Sequence, residues 1–155
     1  MSSDEPERRE GLEPAEEARL RENLRSHFET ASEEVDRDDV AYVLKKLDAK
    51  VERIGGQAVE QIETMLRQAT LLGRMLKDWF QGNYEAPWRV VAAVTAALLY
   101  FINPMDVLPD VIPLIGYLDD IMVVQFCVRR IQEDLRKYAR VQGLDLQEFG
   151  LDEEP

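Results

Sequence analysis

The stretch PWRVVAAVTAALLYFINPMDVLPDVIPLIGYLDD, residues 87–120, decides how this chain folds. Its first half reads as a helix, because VVAAVTAALLYFINPM at 90–105 is 16 residues without a charge. Pro87 suits a helix start, where its missing N–H is not needed. Pro104 pushes Asn103 out of the α region and ends the helix there. The predicted helix over 88–102 is 15 residues, roughly 22 Å at 1.5 Å per residue. A membrane span needs about 20 apolar residues, so this one is marginal. From 104 onward Pro104, Pro109 and Pro113 forbid a long regular helix. A compact loop or a few short turns is expected instead, with Asp106, Asp110, Asp119 and Asp120 accepting free backbone N–H groups. Gly116 supplies a positive φ or a close backbone approach.

Working outward, a final long helix follows. Asp119 or Asp120 sits in its first turn, where negative charge is favoured. Ile121, Val124, Val128, Ile131, Leu135 and Tyr138 form its apolar stripe, and Arg129, Arg130, Arg136, Lys137 and Arg140 make its second half basic. On the other side, Leu20, Leu24, Phe28 and Ala31 mark one amphipathic helix. Val40, Val43, Leu47, Val51 and Ile54 mark a second, opened by the acids of DRDD at 36–39 and weakened at Gly55-Gly56. A third runs from Val59 through Leu76 to Trp79-Phe80, where Gln81-Gly82-Asn83 supplies turn chemistry. Their heptad-like seams suit self-association or a protein partner for 17–81, but packing inside one bundle accounts for them better. Trp79, Phe80, Tyr84 and Trp88 cluster at the entry to the apolar helix, either as an interfacial belt or as a cover on the bundle end.

The net charge of −12 is unevenly spread. Residues 1–16 hold six acids against two bases, and 143–155 hold five acids and no base. Both segments read as mobile acidic tails, too poor in apolar surface to offset ordering entropy. An acidic N-terminus without an apolar segment reads as no secretory signal, which keeps the chain inside the cell. Without a basic face, nucleic acid is not expected as a partner. Cys127 is the only cysteine and His27 the only histidine, which excludes a disulfide framework and any zinc site built on several such ligands. Cys127 reads as a buried thiol and His27 as a surface or groove residue.

The runs GNYEAPW at 82–88 and ALLYFINPMDVLPDVIPLIGYLDD at 97–120 resemble the YkvA-like domain of unknown function. The residues that carry the resemblance are Tyr100, Asn103, Pro104, Asp106, Pro109, Asp110, Pro113, Gly116, Tyr117, Asp119 and Asp120. Asn103 stands where the family often has Ser, and either can cap a helix. The resemblance implies a short helical hairpin, commonly regarded as membrane-associated, with no established activity.

The chain is therefore expected to be all-α, a helical bundle with a C-terminal apolar helix–loop–helix hairpin. Residues 17–81 form its amphipathic helices and 82–142 its hairpin domain, between the tails 1–16 and 143–155. The expected function is that of a non-enzymatic membrane-associated anchor or scaffold. No cofactor, bound metal or catalytic residue is assigned. Basic residues flank the apolar zone on both sides, so the positive-inside rule puts both ends of the hairpin on the cytoplasmic face. The competing expectation is a soluble cytoplasmic module, an enzyme or a metal binder, using the four aspartates as hard oxygen ligands for Mg²⁺ or Ca²⁺. Their spacing matches no Ca²⁺ loop, which favours helix capping.

Overall fold

A computed structural model of the chain describes residues 13–55, 60–103 and 118–151. Helix α1, Pro14–Glu34, starts where the backbone N–H of Glu13 donates to the carboxylate of Glu16 at 3.2 Å. Helix α2, Arg37–Ile54, has a reciprocal cap: Asp39 N–H donates to Asp36 Oδ1 and Asp36 N–H to Asp39 Oδ2, both at 3.0 Å. Those two bonds satisfy N–H groups that the helix itself cannot. The DRDD run thus acts as the N-terminal signal that its charge predicts. Helix α3, Glu60–Phe80, ends at a turn in which Gly82 takes φ +81°, a conformation open to glycine and strained for most other residues.

Helix α4, Trp88–Ile102, lies between the others: α1, α2, α3 and α5 all pack on it. Helix α5, Leu118–Arg130, runs back along it, and α6, Gln132–Val141, follows. All six α-helices of the described residues contribute to one apolar cluster, so the segments expected as 17–81 and 82–142 share a core. The predicted stripes point inward. Leu24, Phe28, Val40, Val43, Leu47 and Ile54 are all buried within this chain. Helices α2 and α3 cross closely at Gly73, where an added Cβ would collide with Leu47 Cδ2. No strand occurs among the described residues.

Two expectations about the ends of the chain are corrected. The final helix is not continuous, because Ile131 leaves helical geometry at φ −115°, ψ 25°. The break keeps Ile131 in the core and turns α6 so that Leu135 and Tyr138 also reach it. The segment after 142 is not wholly a free tail. Asp145 caps a 3₁₀ turn, Leu146–Phe149, by accepting from the Gln147 N–H at 3.1 Å. Leu146 and Leu151 are buried, and Gln68 Nε2 donates to the Phe149 carbonyl at 2.9 Å, fastening the segment to α3. Two apolar anchors and one hydrogen bond hold a stretch that looks polar by composition. At the other end, α1 begins inside the span expected as tail, and residues 1–12 lie outside the described residues.

Candidate functional site

The candidate site is the hairpin formed by α4 and α5, since it carries the unusual sequence. Every residue from Val90 to Leu98 is buried, as are Tyr100, Phe101 and Ile102. Nine consecutive buried residues cover more than two helical turns, so protein lies against every face of α4. Ala92, Ala93, Ala96 and Ala97 leave room for the neighbouring helices to approach. Thr95, buried without exposure, returns its hydroxyl to the Val91 carbonyl at 2.8 Å and so leaves no donor unmet. Among the described residues no helix is long and apolar enough to cross a membrane.

The motif residues distribute as follows. Tyr100 is buried in the core. Asn103 closes α4 through its backbone N–H, which donates to the Leu99 carbonyl at 2.8 Å. Its side-chain amide donates to the Tyr42 hydroxyl on α2 at 2.5 Å, so this residue ties two helices together as well as ending one. Asp119 and Asp120 fall in the first described turn of α5, with their side chains outside the described set. Pro104, Asp106, Pro109, Asp110, Pro113, Gly116 and Tyr117 lie outside the described residues, and with them the capping, metal and turn expectations for that loop. Among the described residues no group of three or more His, Cys, Asp or Glu side chains is placed to hold a metal ion.

Cys127 faces α4, its thiol directed to the Ala93 carbonyl at 3.6 Å. Burial pushes the thiol up to about 12, against an opposing pull from the Arg130 charge. A raised acid favours the protonated folded state, so its contribution is complete below the ordinary thiol value of 9.0 and is lost as pH rises toward about 12. Wild type should accordingly lose stability relative to Cys127→Ala across that window, measured by urea unfolding at stepped pH. The thiol of the folded chain should also resist a soluble disulfide reagent until urea unfolds it.

The aromatic residues at the entry to α4 contact one another and neighbouring helices. Trp79 and Trp88 meet with ring centroids 5.9 Å apart, and the Arg37 guanidinium lies 5.1 Å from the Trp79 ring and 4.7 Å from that of Phe80. Tyr84 stands edge-on to Tyr138 at 4.9 Å. Trp88 itself remains 47% exposed. Sequence reasoning did not anticipate that the Tyr138 hydroxyl donates to the Asp78 carboxylate. Burial first, and then that bond to Asp78, hold its phenol above the usual tyrosine range. The available signal was a tyrosine at a core position of the last stripe, whose hydroxyl demands an acceptor. His27 is half-buried, and its Nδ1 has no hydrogen-bond partner among the described residues.

Residues 90–126, which run from α4 into α5, match the model of a family described as a protein of unknown function (DUF1232). The chain is 31% identical over 90 residues to the uncharacterized membrane protein YkvA of Bacillus subtilis (strain 168), covering 56% of this chain and 85% of that protein. It is 26% identical over 93 residues to the E3 ubiquitin-protein ligase RNF170 of Xenopus laevis, covering 57% of this chain but only 36% of that protein. No solved structure gives a significant match. The segment on which the resemblance rests is thus the hairpin at the centre of the bundle, and the chain belongs to the YkvA-like family of unknown function.

Proposed function

We propose that this protein is a non-enzymatic, membrane-associated anchor or scaffold that meets the bilayer from one side and keeps its apolar helix inside its own bundle. The observation that carries the proposal is the unbroken burial of Val90–Leu98 in a chain whose relative is named a membrane protein. A helix that already has protein on every face has no face left for lipid, so contact falls to other parts of the molecule. A hairpin that does not cross leaves both of its ends on the same side, here taken as the cytoplasmic one. Any protein partner of residues 17–81 would meet the outer faces of α1–α3, since their apolar stripes are already covered.

The test is fractionation of the full chain from its native cells, followed by alkaline carbonate extraction. The protein should sediment with membranes and be released by carbonate. Recovery entirely in the soluble fraction would overturn membrane association. Retention after carbonate would show that the hairpin opens and inserts, against the one-sided arrangement.

A further inference from the structure

A groove of about 680 Å³ runs between α1 and the C-terminal half of α5. Its lining is more apolar than polar and includes Pro14 and Ala18 beside the edges of Phe28 and Phe126, which are otherwise buried. Its rim carries four arginines, Arg21, Arg25, Arg129 and Arg130, against two glutamates, in a chain whose net charge is −12. Three of the arginines have carboxylate neighbours: Arg21 with Glu17 at 3.3 Å, Arg25 with Glu22, and Arg130 with Glu29 at 2.8 Å. These pairs are solvent-exposed, and such pairs are weak and readily exchanged. Arg129 is exposed and has no ion pair among the described residues. Guanidinium groups present a planar fork of donors that matches phosphate oxygens two at a time.

An apolar lining beneath a cationic rim calls for an amphiphile, charged at one end and greasy at the other. We propose that this groove seats the phosphate headgroup and proximal acyl chain of an anionic phospholipid at a membrane surface. A free phosphate would leave the apolar part of the groove unused. The inference rests on the membrane association proposed above, to which it adds the lipid class and the face.

The experiment is vesicle flotation of the full chain, using phosphatidylcholine alone and an equimolar mixture with phosphatidylglycerol. Wild type is compared with Arg25→Glu/Arg129→Glu and with Lys45→Glu/Lys46→Glu. The second pair makes the same change in net charge at exposed positions of α2, which does not line the groove. Circular dichroism confirms that each variant is folded. Wild type and the lysine variant should float with the mixed vesicles and not with phosphatidylcholine, and added salt should weaken binding. The arginine variant should lose on the order of tenfold or more in affinity. Undiminished binding by the arginine variant, or equal loss in both variants, would overturn the groove and leave membrane association standing. Equal flotation of wild type with phosphatidylcholine alone would overturn the anionic headgroup and likewise spare membrane association. Binding to neither vesicle would overturn both readings. Binding of polyglutamate without vesicles would reassign the groove to an acidic polypeptide.

Discussion

Phe101→Ala is expected to lower the stability of the full chain by about 3–5 kcal/mol, the range for emptying a fully buried phenylalanine site. Phe101 is 0% exposed near the end of α4, and the Lys50 ammonium on α2 lies 5.6 Å from its ring. Removing the ring therefore deletes core packing and a cation–π contact between two helices. Equilibrium urea unfolding, without detergent, gives the value from the shift in midpoint at constant slope. An unchanged midpoint would mean that the end of α4 is not packed against protein. This is the larger of the two effects, and it bears directly on where the apolar helix resides.

Ala97→Leu should also destabilise, by about 1–3 kcal/mol, through overpacking. Ala97 is 0% exposed in the run of small residues that lets neighbouring helices close on α4. A leucine adds apolar bulk where the interior has no room for it. The sign is what makes this variant informative. On a lipid-facing helix the same change adds apolar surface and is neutral or favourable. Greater stability of Ala97→Leu than of wild type in urea would contradict burial of α4 by its own chain.

Much of the architecture was legible because each signal was local. The charge-free run from Val90, stopped by Pro104, gave α4 its observed end at Ile102. DRDD gave the start of α2, since a carboxylate three residues from another can close a reciprocal cap on its own backbone. The stripes through Leu24, Val43 and Leu47 gave the inward faces, because helical periodicity records which side is withdrawn from water. Motif residues were legible as a family pattern but not as a chemistry. Tyr100 belongs to the core and Asn103 to a contact with Tyr42, and neither role has a signature in the linear order.

What the sequence by itself determined is an all-α chain of the YkvA-like family, with a short, charge-free helix at its centre. Whether that helix is enclosed by lipid or by protein cannot be read from hydropathy, because both environments exclude water alike. Only the tertiary structure decided for protein, by placing α1, α2, α3 and α5 around α4. Tertiary packing likewise drew the C-terminal segment onto α3, where Leu146, Leu151 and the bond from Gln68 outweigh an acidic composition. It also gathered Arg21 and Arg25 of α1 beside Arg129 and Arg130 of α5. Residues about a hundred positions apart in sequence carry no shared periodicity, and only the approach of two helices makes them one surface.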